Sequence, residues 1–387
     1  MSKHAKNIIE GAVGDVAGYV ITGFPVIGVS SAIVKSVGTV LAPKLKYLLP
    51  STYLDWQLKG WHGIYRNECA LQVVYQHQNF LLPQVLMLDN TGGRFRMKDV
   101  RLIRRPEGFS LSKNILSRTA EAHDSYVRML RHTFKKYHND NNLRLCGFSA
   151  TDGGATLECQ NVMFEDSIRT NLVLDADFQG QGNTLRKELH NEHRLESLET
   201  SLLANQCGVN ILVFTPNGEL IIQMRSRSVA VRPGEYCPSG SGTIESSDVP
   251  SSAATLADAN VLREAHEEIG VWTPEEDSVT LLGITRELIR GGQPEFFFAA
   301  KDSRNKDQVL AGARIARDRF ERKSLLHFFD FGPFAFARTL DDEGRTMFRS
   351  LVDKCIDKYQ DRMSIPLWTA LTLWKAARLS RTKLFNG

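Results

Sequence analysis

Hydrophobic and polar positions change period several times along the chain, and each change predicts an element. Over residues 114–137, Leu116, Ala120, Val127, Leu130, Phe134 and Tyr137 recur at three, four and seven with basic residues between them. That stripe predicts an amphipathic helix. β-Branched and aromatic runs predict strands over 69–75 and 83–88. Three further strand pairs are punctuated by turn residues. Residues 143–148 and 155–159 flank Asp152-Gly153-Gly154, 209–214 and 220–224 flank Pro216-Asn217-Gly218, and 279–288 and 295–300 flank Gly291-Gly292. Phe296-Phe297-Phe298 puts apolar side chains on both faces of its strand, as a sheet covered on both sides requires. Residues 308–324, 343–361 and 366–380 read as helices, with Trp368, Leu371, Leu373 and Trp374 as core. Residues 179–196, rich in Gly, Gln, Asn and charge, read as a loop or linker. The sum is an α/β protein.

One stretch breaks the economy of a simple amphipathic pattern: Arg263-Glu264-Ala265-His266-Glu267-Glu268-Ile269-Gly270-Val271. On a helix Glu264, Glu267 and Glu268 stand at i, i+3 and i+4 and share one narrow face, while Leu262, Ala265 and Ile269 point the other way. Arg263 can brace the carboxylates, and Gly270 can end the helix at positive φ. Like charges at this spacing repel. A solvated acidic face would tolerate that, but a hard divalent cation with oxygen ligands removes the conflict. Upstream, Arg225 and Arg227 follow a strand and precede Pro233-Gly234. Guanidinium groups there suit phosphate oxygens.

Composition bounds the rest. The chain has 387 residues, 42% hydrophobic and 24% charged, enough for two globular domains. A net charge of +4, from 48 basic and 44 acidic residues, does not call for nucleic acid, and no basic groove with aromatic stacking partners is traceable. Arg94, Arg96, Lys98, Arg101, Arg104 and Arg105 cluster as a solvated basic surface would. Six cysteines without Cys-x-x-Cys spacing indicate a reducing, cytoplasmic setting without a zinc site. Residues 16–34 carry no charge and just meet the length of a membrane helix. Pro25 and the surrounding glycines favour a pair of small-residue helices instead, with membrane contact as the other reading.

The order Arg-Glu-apolar-x-Glu-Glu-x-Gly-apolar at 263–271 resembles the core of the Nudix box. Ser241-Gly242-Thr243-Ile244-Glu245 resembles the loop that opens that box, with Gly242 in the glycine place. Asp248 stands where the family has Glu, and fourteen residues (249–262) separate it from Arg263, seven more than the family's spacing. Seven residues are about two helical turns, so the extra length is expected to extend the helix without rotating its acidic face. Phe164, Asp166, Thr170 and Asn171, the strand start at Gly208-Val209, and Arg225 through Gly234 are together similar to the UDP-glucose pyrophosphatase branch of the family. This likeness covers about 143–300.

The resemblance implies an α/β/α sandwich over 196–340. Before it would come a hydrophobic segment (1–50) and an α+β extension (51–195), and after it C-terminal helices (341–387). It implies Mg²⁺ or Mn²⁺ held by Glu264, Glu267 and Glu268, with Glu264 ligating or acting as base and Arg263 orienting its neighbours. Arg225, Arg227 and the Gly242 backbone would face the substrate's phosphates, and Glu287 and Glu295 are candidates for a further acidic group. The implied reaction is hydrolysis of a nucleoside diphosphate joined to another group, with a nucleotide sugar as the first candidate, giving a nucleoside monophosphate and a phosphorylated partner. A non-catalytic nucleotide-binding module, with membrane association through 16–34, is the rival reading.

Overall fold

Every residue of the strand Gly208–Phe214 is buried, so this strand must be covered on both faces. It is the sixth of thirteen strands among the described residues. The computed structural model describes residues 61–132, 138–176, 184–190, 192–226, 229, 231–270, 278–317, 326–337 and 339–380. The uncharged segment 16–34 and Arg227 lie outside the described residues. Helix α1 (Trp61–Ile64) is followed by β1 (Ala70–Tyr75), β2 (Gln78–Asp89) and β3 (Val100–Arg104). Helix α2 (Lys113–His132) leads into the hairpin β4 (Asn141–Thr151) and β5 (Gly154–Met163), then the short helices α3 (Phe164–Arg169) and α4 (Leu185–Leu189). Strands β6 (Gly208–Phe214), β7 (Glu219–Met224), β8 (Tyr236–Cys237), β9 (Gly240–Thr243) and β10 (Ala253–Thr255) precede α5 (Arg263–Ile269). After it come β11 (Val279–Glu287), β12 (Gln293–Lys301), α6 (Lys306–Ile315), β13 (His327–Asp330), α7 (Asp342–Tyr359) and α8 (Ile365–Leu379).

Two sheets result. The larger runs β1-β2-β11-β12-β6-β7-β13, with β8 beside β7 and β9 beside β6; the smaller runs β10-β3-β5-β4. Both are mixed, because β12 pairs parallel with β6, and β3 with β5, among antiparallel neighbours. Alternation in β6 sends Val209, Ile211 and Val213 to one face, where they meet Ala265 and Ile269 of α5, Val309 and Ala313 of α6, and Leu102, Leu145 and Leu157 of the smaller sheet. Leu212 and Phe214 face α7 and α8 on the other side, with Leu371 and Trp374. Phe296 and Phe298 join the first cluster and Phe297 the second, which is why that triplet is apolar throughout. The chain is therefore mixed α/β.

Several sequence expectations change here. Residues 249–262 do not lengthen the acidic helix. They leave the large sheet, form β10 against β3 with Ala254 opposite Leu102, and turn back at Thr255–Asp258, closed by an Asp258 N–H to Thr255 carbonyl bond of 3.0 Å. The helix itself has only seven residues. The linker expected at 179–196 contains α4, whose Arg186 is 1% exposed and binds Asp175 bidentately. Strand β3 was hidden in the basic cluster: Val100 and Leu102 are buried between exposed Arg101 and Ile103. Arg94 pairs with Asp152, Arg96 with Asp99 and Arg105 with Glu158, so half of the cluster carries an acidic partner. The helix expected over 308–324 ends at Ile315. The sheets also cross the 195/196 division: β2 pairs with β11, and β10 with β3.

Candidate functional site

Helix α5 starts at Arg263 and stops at Gly270, which takes φ 64° and donates its N–H to the Ala265 and His266 carbonyls. At its first residue, Arg263 uses every face of its guanidinium. Nε meets Asp248 Oδ1 and Oδ2 at 3.0 and 3.1 Å, Nη1 meets Glu267 Oε2 at 2.8 Å, and Nη2 meets Glu264 Oε1 at 2.7 Å and the Thr243 carbonyl at 2.9 Å. Glu245 lies 3.2 Å from Nη1. Burial opposes the charge, but Glu264, Asp248 and Glu245 outweigh it and hold the guanidinium above its ordinary pKa. Asp248 keeps its place despite the longer loop because the Asn260 N–H bonds the Asp248 carbonyl at 2.9 Å, joining the two ends of the β10 excursion. Burial pushes the Asp248 carboxyl up, against the Arg263 charge.

The three helix glutamates do not share one role. Glu264 accepts from Arg263 and from the Thr243 N–H at 3.2 Å. Glu267 is held between Arg263 and Arg317. Glu268 turns inward, 2% exposed, and accepts from Gln223 Nε2 at 2.5 Å and the Ser241 N–H at 3.0 Å. Arg225 Nη1 lies 3.7 Å from it. Among the described residues, no three His, Cys, Asp or Glu side chains converge closely enough to hold a metal ion.

A cavity of about 620 Å³ opens beside α5. Glu264, Glu267, Glu245 and Glu295 line it on the acidic side, with Arg225, Arg232, Arg263, Arg290 and Arg317 among them. Glu295, on β12, accepts from Asn210 Nδ2 of β6 at 2.5 Å. Burial, and then the nearby Glu287 charge, pushes its carboxyl up to about 7, against Arg290, Arg232 and Asn210. Glu287 does not line the cavity; it is fully buried and pairs with Arg232. Arg232 adopts φ 51°, a left-handed conformation that costs a non-glycine residue energy and is found disproportionately at functional sites. Asn142 of the smaller sheet, Phe164 and Ser167 of α3, and Leu172 just after it also line the cavity.

Of the residues singled out by sequence, Arg263, Glu264, Glu267, Arg225, Gly242 and Glu295 meet at this cavity. Glu268 and Glu287 stand behind its wall, and Arg227 lies outside the described residues. Sequence reasoning missed Arg232, Arg290, Arg317 and Glu245 as site residues. Two of these carried a signal: Arg232 directly precedes Pro233-Gly234, and Arg290 directly precedes Gly291-Gly292. Glu264, Glu267 and Glu245 present carboxylates to the cavity but are drawn to Arg263 and Arg317 rather than to one point, so a hard cation here would need substrate phosphates to complete its shell, as Mg²⁺ commonly does. A Cβ at Gly242 would fall 2.1 Å from the Glu264 carboxyl carbon, so only glycine leaves that carboxylate in place.

No known family model matches the chain, and no curated protein matches it. Among solved structures, it is similar over part of its length to the crystal structure of DR0079 from Deinococcus radiodurans. The identity is 18%, the match covers 32% of this chain and 65% of that one, just under two thirds, and the TM-score is 0.23.

Proposed function

We propose that the chain is a Nudix-type hydrolase built on an α/β/α sandwich, which with Mg²⁺ or Mn²⁺ cleaves the diphosphate bond of a nucleoside diphosphate joined to another group. A nucleotide sugar such as UDP-glucose is the first substrate to test. The observation that carries this reading is the convergence of Arg225, Arg232, Arg290 and Arg317 on the cavity that Glu264 and Glu267 line. Four guanidinium groups in one partly enclosed space favour a ligand with several anionic oxygens. Their charge would take up the two phosphates and draw electron density from the bond that breaks.

Glu264 and Glu267 would hold the cation, and Arg263 fixes both carboxylates from one guanidinium. A bound divalent ion would supply further charge neutralisation on the diphosphate. Glu268 acts as a brace, tying α5 to the Ser241 N–H and so to the strand that carries Gly242. Glu295, whose carboxyl is raised to about 7, would accept a proton from an attacking water, because a general base works best with a pKa near the working pH. The products would be a nucleoside monophosphate and a phosphorylated partner.

One observation favours the rival reading of a nucleotide-binding regulator: Glu264 and Glu267 are engaged by Arg263 and Arg317 rather than gathered at one point. A single assay separates the two. A library of nucleoside diphosphate derivatives is incubated with Mg²⁺, Mn²⁺ or a chelator, and release of phosphate-bearing product is followed. A hydrolase gives metal-dependent release that falls by roughly 10- to 100-fold or more in Glu267→Gln, the loss seen when even the support of a metal ligand is disturbed. Binding without turnover under all three conditions establishes the regulator instead.

A further inference from the structure

Glu245, Glu264 and Glu267 are each paired with Arg263, whereas Glu295 forms no ion pair among the described residues. Its hydrogen bond comes from Asn210, whose Nδ2 donates to Oε2 at 2.5 Å. Three details fix this contact. β12 runs parallel to β6 with Glu295 opposite Gly208, so Asn210, two residues along, faces the same side of the sheet. Gly208 leaves the space that the carboxyl fills, since a Cβ there would lie 2.7 Å from the Glu295 carboxyl carbon. The Asn210 amide is itself held, because Ser241 Oγ of β9 donates to its Oδ1 at 3.0 Å, and the Ser241 N–H bonds Glu268 of α5. Both ends of this buried amide are thus satisfied. No described residue donates to the other carboxyl oxygen, Oε1, yet that oxygen is not sealed in. Glu295 lines the cavity, and Oε1 is the oxygen left to face it.

We infer that Asn210 is the positioning residue for the cavity's proton acceptor: by holding Oε2 over Gly208, it keeps Oε1 of Glu295 towards the space where a diphosphate and its attacking water would lie. This rests on the hydrolase reading given above, in which Glu295 takes the water's proton. The terminal torsion of a glutamate is broad, so without the amide the carboxyl would rotate and present neither oxygen consistently. An N–H donor also favours the ionised, proton-accepting form. The charged groups around Glu295 are Glu287, Arg290 and Arg232. Asn210 is neutral, so replacing it by an apolar residue removes a donor and leaves the local charge as it was. Ser241 completes the device by coupling Asn210 to the helix that carries Glu264 and Glu267.

The test compares Asn210→Leu, similar in size but without the donor, and Ser241→Ala with the parent protein. The first readout needs no turnover. In scanning calorimetry, the pH window over which Glu295→Gln alters the melting midpoint should extend upward by roughly one to two pH units in the Asn210→Leu background, the worth of one hydrogen bond to a carboxylate. The second readout is turnover in Mg²⁺ of UDP-glucose, ADP-glucose or GDP-glucose, whichever is cleaved fastest. With Asn210→Leu, kcat should fall about tenfold with KM little changed, and the rising limb of its pH profile should move up by the same one to two units. Ser241→Ala keeps the donor but frees the amide, so both readouts should move in the same direction by a smaller amount; it carries the test alone if Asn210→Leu does not fold. An unmoved limb, or an equal loss of kcat at every pH, overturns the assignment. So does a window that shifts while the limb stays put, because Glu295 would then not be the proton acceptor. A parent protein that cleaves none of the three overturns the hydrolase reading for this substrate class, and this inference with it, a result distinct from an active enzyme whose limb does not move.

Discussion

Two ionisable side chains within one site are tuned in different ways by their surroundings. Glu295 sits in a buried pocket beside Glu287, so its ionised form is disfavoured and its carboxyl is raised to about 7. Between the ordinary value of 4.5 and that raised value, the unfolded chain has lost a proton that the folded chain keeps. Stability contributed by the neutral carboxyl is therefore lost as pH climbs through this window. Glu295→Gln should melt higher relative to the parent as pH goes from 5 to 7, with the difference levelling above 7; a pH-independent difference in scanning calorimetry would refute the assignment. If Glu295 takes the proton from water, activity should also rise through the same window and the variant should lose that rising limb. Arg263 shows the opposite tuning, a charge kept because carboxylates surround it. Arg263→Ala leaves Asp248, Glu264 and Glu267 without their shared cation, and urea denaturation should show a loss of about 3 kcal/mol, as for breaking a buried ion pair from one side. Arg263→Lys keeps the charge but not the fork, and should fall between the two.

At the scale of elements, a seven-residue helix cannot hold itself. Isolated helices of this length are unstable in water, so α5 depends on Ala265 and Ile269 against the sheet and on its glycine stop. Gly270 is at φ 64°, and a Cβ there would meet the Gly312 carbonyl oxygen at 2.8 Å. Gly270→Ala should therefore cost more than the roughly 1–2 kcal/mol of the left-handed conformation alone, read from equilibrium denaturation; a change under half of that would mean the turn relaxes freely. The loop ahead of α5 follows the same logic. Its extra length is taken up by β10, whose backbone groups find partners on β3, while the bond from Asn260 to Asp248 keeps the site end of the loop closed.

Across the whole molecule, each sheet is built from both halves of the chain. β2 supplies the neighbour of β11, and the later strand β10 edges the sheet formed by β3, β5 and β4. The cavity follows this exchange, with arginines and glutamates from the second half and Phe164 and Ser167 from the first. α8 closes the other face, burying Trp374 at 4.6 Å from Phe214, 4.8 Å from Phe331 and 5.0 Å from Phe348, between ring centroids. A fragment of residues 196–340 would expose the β11 edge to water and lose the α7–α8 cover. It should show no cooperative thermal transition, whereas the full chain should; a sharp transition in the fragment would establish it as an independent domain. No helix among the described residues is long and apolar enough to cross a membrane.

The amino-acid order alone determined what is local. The turn glycines of the hairpins, the triple phenylalanine of β12 and the spacing of Glu264, Glu267 and Glu268 are all set by backbone period and side-chain size, and each is legible within a dozen residues. The helix α2 was legible too, but its buried face runs through Ile115, Thr119, Ala122, Tyr126, Val127 and Leu130 while Leu116 and Ala120 are exposed, and Phe134 and Tyr137 lie outside the described residues. The tertiary structure decided what depends on who meets whom. Arg232, Arg290 and Arg317 come from separate loops and converge only when the sheets pack. The shared helical face of the three glutamates did not fix their destinations, because Gln223 and the Ser241 N–H draw Glu268 inward while Arg263 and Arg317 hold Glu267 at the cavity. The fate of residues 249–262 was likewise undetermined locally: helix propensity allowed two more turns, but an open strand edge on β3, distant in sequence, offered backbone hydrogen bonds that a longer helix would have left unused.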